Sequence, residues 1–471
     1  MINPISIILF FLISFFCCSV YSDDLEILLL STLVVTFTAL IIKSELKSKS
    51  FFSPLNLYAG LIALHVGLPG IAYSMGVELI SYSPNSEFIS TILIYVLLNL
   101  LALVLVNIFT HNKRTKIRIN YLWDDSSVKK IIFSFLVIGV ITRLYLISNN
   151  SYFQIYRGSE YNLTGNVFLS FFMLFERLPS YALIIIFIHR FSSNVNSKFW
   201  INASYALIVF ELLYWFPAAR KEEIISTLMY PFIISVILLN KFPSKKIIFF
   251  SSLFIILIFP ITRFLRIGIF AIALSGGSIT NINDIVDILP EAFNSGKEIT
   301  QSKNDGENSN LNRISLLESM SAAARLAENE GYKYGESYSS ILYTLIPRFL
   351  WPNKPKTTSG IEFGYQSGIT DKNDTSSISV TYLGESYYNF GFFGVIITLI
   401  VFLFTNYLYR LAYFRGNLVF LLIFIMALKP YTYIGGEISP YFTGYLKSLL
   451  MFLPVFLLLN YNKIKKTNVW I

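Results

Sequence analysis

Along most of this chain, apolar runs of about 20 residues alternate with short charged loops, the spacing at which helices cross a bilayer. Twelve such runs are read, at residues 3–20, 25–42, 52–74, 88–110, 131–148, 166–188, 199–217, 224–240, 247–266, 381–406, 418–434 and 442–460. The pattern breaks once. Between Arg266 and Thr381 the chain turns polar, rich in Ser, Asn, Gly, Tyr and charge. The expectation is an all-α polytopic membrane protein of about twelve transmembrane helices, with one large extracytoplasmic loop between the ninth and tenth. It divides into residues 1–266 (helices one to nine), 267–380 (the large loop, with amphipathic helices) and 381–471 (helices ten to twelve and a cytoplasmic tail).

The large loop has its own periodicity. Asn312 to Glu330 reads as a helix stopped by Gly331, with Ile314, Leu317, Ser321, Ala324 and Leu326 on one side. Glu336 to Ile346 reads as a second helix ended by Pro347. As amphipathic helices, both are expected to lie on the outer membrane surface. Pro347, Pro352 and Pro355 then preclude a regular helix and present Arg348, Trp351, Lys354 and Lys356 on a stiff loop. Thr357 to Ser379 is polar and Gly-containing, as expected of a lid.

Charge orients the spans. One alternating set of short loops and the tail carries 19 Lys and Arg, the opposite set 3. The positive-inside rule puts both termini in the cytoplasm and the large loop outside. The net charge of +9 follows this loop distribution, so it does not indicate nucleic acid. Composition agrees with a membrane protein: 54% hydrophobic, 14% charged, mean hydropathy +0.60. Residues 1–20 carry no Lys or Arg ahead of their apolar run and no small-residue cleavage pattern, and are read as a retained first span. With no mitochondrial or secretory pattern, a bacterial cytoplasmic (inner) membrane is the expected location. Cys17 and Cys18 are adjacent and cannot staple a loop. His65, His111 and His189 are scattered, so no metal site is expected.

Cations on the outer side carry the chemical signal, because orientation selects against them there. Arg143 lies near the outer end of span five, and Arg157 follows in the loop. Arg220 and Lys221 cap the turn between spans seven and eight, and Arg263 and Arg266 end span nine. Arg313, Arg325, Arg348 and Lys354 come from the large loop, and Arg177 sits deeper beside Glu176 and Pro179. Arginine pairs bidentately with phosphate. An outward-facing site for a phosphate or pyrophosphate lipid follows, against the plainer reading that each arginine pairs with a nearby acid or reaches lipid headgroups.

The segment Ile346-Pro347-Arg348-Phe349-Leu350-Trp351-Pro352-Asn353-Lys354-Pro355 resembles the loop motif of Wzy-type oligosaccharide repeat-unit polymerases, the O-antigen and capsule polymerases. Leu383-Gly384-Glu385-Ser386-Tyr387-Tyr388-Asn389-Phe390-Gly391 resembles the point where that family's large loop meets the next span. The likeness covers residues 310–395 at motif level and the rest by topology. Through the family's kinship with O-antigen ligases and GT-C membrane glycosyltransferases, it implies a GT-C-like fold. It implies undecaprenyl-pyrophosphate-linked oligosaccharide substrates, no metal or nucleotide cofactor, and a flippase and a chain-length regulator as candidate partners. Where the family often carries a Gly-x-Arg-Gly-like motif, this chain has Ala218-Ala219-Arg220-Lys221-Glu222, which leaves the role of Arg220 open.

In the reaction so implied, a sugar hydroxyl attacks an anomeric carbon bearing pyrophosphate. Arg348 and Arg266 are the candidates for stabilising the leaving group. Glu385 is a candidate base beside Glu362, Asp371 and Asp374. Arg143, Arg157, Arg220, Arg263, Arg313, Trp351 and Lys354 are candidate substrate-binding residues. Rival readings are an O-antigen ligase, which usually carries a loop histidine, and a polyprenyl-monophosphate-sugar GT-C transferase with Asp23-Asp24 as its acidic pair. A lipid-linked oligosaccharide flippase is a third, for which no internal repeat is visible.

Topology is directly testable. Single cysteines near residues 300 and 370 should react with impermeant maleimide from outside, and those near 120 and 245 only after permeabilisation. A cytoplasmic signal at 300 would overturn the orientation and every functional reading built on it.

Overall fold

A computed structural model of the chain describes residues 24–47, 51–77, 86–110, 118–121, 123–149, 167–192, 197–218, 220–239, 262, 315–344, 346, 350–351, 359–370, 378–414, 418–432, 434–461 and 466–470. Among these it is almost wholly helical. Seven helical stretches are long and apolar enough to cross a membrane, the longest running from Tyr382 to Ala412. This is the architecture of a membrane protein: helices satisfy their own backbone groups where no water can. Phe133, Leu144, Leu213 and Phe393 are each more than 60% exposed, an apolar outer surface suited to lipid.

The first helices are α1 (Leu25–Lys47), α2 (Pro54–Ile62), α3 (Leu68–Ser74) and α4 (Ser86–Thr110). A π-turn at Ala63–Gly67 joins α2 to α3, so they read as one interrupted span. Then come α5 (Asp125–Ser148), α6 (Val167–Met173), α7 (Leu178–Ser192), α8 (Lys198–Trp215) and α9 (Lys221–Leu239). The expected span at 166–188 is thus broken between α6 and α7, at Glu176 and Arg177. The expected spans 3–20 and 247–266 lie outside the described residues, apart from Thr262.

From the large loop come α10 (Leu317–Glu330), a 3-10 turn at Glu336–Ser339, α11 (Ser340–Thr344) and α12 (Ser359–Gln366). The last group is α13 (Tyr382–Phe390), a 3-10 turn at Gly391–Gly394, α14 (Val395–Phe414), α15 (Leu418–Thr432) and α16 (Ile438–Tyr461). A short antiparallel ribbon pairs β1 (Arg118–Tyr121) with β2 (Lys466–Trp470).

Capping explains several starts. Pro54 opens α2 behind Ser53, whose Oγ accepts from Asn56 N–H at 3.2 Å. Asp124 caps α5 through Ser127 N–H at 3.0 Å, and Ser197 caps α8. Two cores result. One is shared by α1 to α4 with α10, α13 and the first part of α14. The other is shared by α5, α7, α8, α9, α15 and α16.

The helix expected on the membrane surface is instead inside the first core. Leu317, Met320, Ser321, Ala323 and Ala324 of α10 are each fully buried, and Ala322, Leu326 and Ala327 are nearly so. The run of Ala and Ser lets α10 approach α4 and α13 closely, as small residues do between membrane helices. Its start is fixed by a backbone deficit. Pro69 has no N–H for the carbonyl of His65, and that carbonyl accepts from Leu316 N–H at 3.0 Å. The large loop is therefore threaded into the bundle at mid-height of the α2–α3 span.

This packing predicts a sharp size limit. Ala323 Cβ lies 3.4 Å from where Gly384 would carry its own. Ala323→Leu should lower stability by roughly 1–3 kcal/mol, read as a lower thermal midpoint in detergent. Asn329→Leu, at the exposed end of α10, should change it by under about 0.5 kcal/mol. Equal midpoints for the two variants would show that α10 is not a core helix.

Candidate functional site

Two groups of polar side chains stand out, one sealed and one open. The sealed group lies between α5, α7, α8 and the turn into α9. Arg143 Nη1 is 2.7 Å from Glu211 Oε1, and the two side chains are 3% and 0% exposed. Glu211 Oε2 also accepts from Trp215 Nε1 at 2.9 Å and from the Ser180 hydroxyl. The Arg143 guanidinium stacks 3.9 Å from the Tyr214 ring, and its Nε donates to the Glu176 carbonyl at 3.2 Å. Arg220 Nη1 donates to both oxygens of Glu176 at 3.1 Å, and Tyr214 Oη donates to Oε1 at 2.9 Å. Two arginines thus meet two glutamates with no net charge. Gly139, one turn before Arg143, makes the approach possible, because a Cβ there would run into the Pro179 ring. Nearby, Arg177 pairs with Glu223 at 2.6 Å.

The open group sits where the large loop meets α13 and α16. Thr381 begins it with φ +64°, a left-handed conformation that a β-branched residue rarely adopts. Its hydroxyl caps α13 by accepting from Gly384 N–H at 3.0 Å. One turn on, Glu385 is 2% exposed. Its Oε1 accepts from the Ser337 hydroxyl at 2.7 Å, and its Oε2 accepts from Ile438 N–H, the first residue of α16, at 2.7 Å. Among the described residues no cation pairs with this carboxylate. Glu385 lines a cavity of about 330 Å³ whose wall also carries Lys333, Glu336, Ser340, Tyr343, Glu362 and Glu437. Beside it, burial and then the Glu385 charge push the Tyr338 hydroxyl well above its ordinary range, so it stays a proton donor. Tyr338 Oη lies 3.5 Å from Ser386 Oγ.

The sequence-predicted residues distribute unevenly over these two groups. Glu385 and Glu362 are brought together at the cavity. Arg143 and Arg220 share the sealed cluster, each already held by a carboxylate that phosphate would have to displace. Trp351 is 39% exposed. Arg157, Arg263, Arg266, Arg313, Arg348, Lys354, Asp371 and Asp374 lie outside the described residues. Sequence reasoning missed Ser337, Glu437 and Glu211. Only Glu211 left a signal, as a lone acid inside the apolar run 199–217.

The sealed cluster makes an asymmetric prediction. Glu211→Ala strands a buried guanidinium and should cost about 3–5 kcal/mol. The double change Arg143→Met with Glu211→Leu removes both charges and should recover much of that loss. Thermal midpoints in detergent for Glu211→Ala and the double variant decide it. A double variant no better than Glu211→Ala would mean that the ion pair does not couple these helices.

No curated protein and no solved structure matches the chain significantly. A family model described as a domain of unknown function, DUF8712, matches residues 70–412. That match runs from the end of the α2–α3 span through the large loop to the end of α14, so it takes in the sealed group and the open group apart from Glu437 and Ile438. The chain belongs to the DUF8712 family.

Proposed function

We propose that this protein is a glycosyltransferase that polymerises undecaprenyl-pyrophosphate-linked oligosaccharide repeats, as for O-antigen, lipopolysaccharide or capsule, at the outer face of a bacterial cytoplasmic membrane. In this reading it has twelve spans in a GT-C-like arrangement, cytoplasmic termini and a periplasmic large loop. The observation that carries it is the buried carboxylate of Glu385 opening on a polar cavity between the loop and the helix ends. A cavity of about 330 Å³ is at the small end of ligand pockets, which run roughly 300–1,000 Å³. Its hydroxyls and carboxylates suit sugar hydroxyls.

The reaction divides between two sets of residues. The acceptor sugar occupies the cavity, and its hydroxyl gives a proton to Glu385 as the oxygen bonds to the donor's anomeric carbon. The bond from that carbon to the pyrophosphate oxygen breaks, and undecaprenyl pyrophosphate leaves with the electron pair. The described cavity wall holds four glutamates and one lysine, so it suits the acceptor and not the leaving group. Arg348 and Arg266, with Arg157, Arg263, Arg313 and Lys354, supply the positive charge for the pyrophosphate. Trp351 offers a face for a sugar ring. Arg143 and Arg220, each held by its own glutamate, keep the neighbouring helices in register.

Arg348→Ala and Arg266→Ala test the reading. Each should lose surface polymer beyond one repeat at matched membrane level. A lost charge-assisted contact in the transition state costs about 2–4 kcal/mol, or roughly 30- to 1,000-fold in rate. Lysine at either position should rescue only in part, and Lys297→Ala should be silent. Transfer by the purified protein should survive EDTA. Loss of activity in EDTA with return in Mg²⁺, together with inactive Asp23→Asn and Asp24→Asn, would instead favour a monophosphate-sugar donor. Normal long polymer in Arg348→Ala cells would remove that residue from the site.

A further inference from the structure

The hydrogen bonds around Glu385 admit one arrangement of donors and acceptors. Gly335 N–H can only donate, and it meets Asn389 Oδ1 at 2.8 Å. The Glu385 main-chain carbonyl can only accept, and it meets Asn389 Nδ2 at 2.8 Å. Both fix the same amide orientation. Nδ2 then donates its second proton to Ser337 Oγ at 2.8 Å. With that bond accepted, the Ser337 hydroxyl directs its own proton to Glu385 Oε1 at 2.7 Å. Glu385 and Asn389 lie one turn apart on α13, while Ser337 comes from the 3-10 turn at Glu336–Ser339. Asn389 is fully buried and, like Glu385, belongs to the packed face of α13.

We propose that Asn389 and Ser337 are positioning residues for Glu385. Asn389 sets the direction of the Ser337 hydroxyl. That hydroxyl and the Ile438 N–H hold the carboxylate in one orientation at the cavity wall. The inference rests on the reading of Glu385 as the base, and it adds the two residues that make its orientation unique. Proton abstraction needs the base within hydrogen-bond reach and correctly aimed, so a loosened carboxylate slows the chemical step and leaves acceptor binding intact.

The test uses the purified full chain in nanodiscs. The probe is undecaprenyl-pyrophosphate-linked repeat extracted from host cells lacking this protein. Folding is matched by size-exclusion elution. Glu385→Gln should abolish measurable transfer. Ser337→Ala and Asn389→Asp should lower kcat by roughly 10- to 100-fold, with KM within about twofold. This isosteric change, once ionised, replaces the donor with an acceptor, which draws the Ser337 proton away from Glu385. Ser337→Thr, which keeps the hydroxyl, should return kcat to within about threefold of the unmodified protein.

Three outcomes overturn the proposal: unchanged kcat in both Ser337→Ala and Asn389→Asp beside an inactive Glu385→Gln, a threonine variant as slow as the alanine variant, or an effect confined to KM. Full activity in Glu385→Gln would instead remove the base itself, whatever Ser337 does. Should Asn389→Asp fail to elute as folded protein, the Ser337 pair decides alone, because Ser337 lies at the partly exposed edge of the loop.

Discussion

A peptide group or charge that leaves water for hydrocarbon must find its partner inside the protein, and two contacts between elements among the described residues answer to that rule. Helices satisfy all but their end groups. Where Pro69 withholds an N–H from the α2–α3 span, the loop helix α10 supplies one through Leu316. Where α16 begins, its first N–H is taken by the Glu385 carboxylate. The large loop and the helix that follows it are thus tied to other helices through backbone groups that regular helix geometry leaves over.

The same rule separates the two polar groups. Arg143, Arg220 and Arg177 lie against Glu211, Glu176 and Glu223, so these charges cancel in place. Such pairs add little net stability over apolar packing, but removing one partner is severe, so they fix how α5, α7, α8 and α9 register. Glu385 differs. Its partners among the described residues are a hydroxyl and a backbone N–H, both neutral, and beyond them lies a cavity. A buried carboxylate with no countercharge among the described residues is an expensive arrangement, of the kind found at functional sites.

The spans were legible in part, because long apolar runs admit no other element in lipid: seven stretches among the described residues are long and apolar enough to cross, and each overlaps an expected run. The breaks were less so. The gap between α6 and α7 falls at Glu176 and Arg177, charges that a run-length reading absorbs into one span. The burial of α10 left no trace, since Glu318, Arg325 and Glu328 among alanines read equally well as a surface helix. Glu385 was visible as an acid at the mouth of a span. Its partner Ser337 was not, because 48 residues separate them and a serine in a polar loop is unremarkable by composition.

The threading of α10 bears on where chemistry can occur. A loop resting on the membrane surface would hold its polar residues above the lipid headgroups. Here α10 starts at the level of His65, and α13 packs beside it, with Gly391 (φ +57°) turning the chain into α14. The cavity wall is accordingly built from the ends of α13 and α16 as well as from loop residues. On the proposed function this geometry matters. The reacting carbon of a lipid-linked donor is one pyrophosphate away from its polyprenyl chain, so a base raised on a free-standing loop would sit too far from it. A carboxylate on the first turn of a membrane-entering helix, backed by the first N–H of another, is rigidly held near that depth.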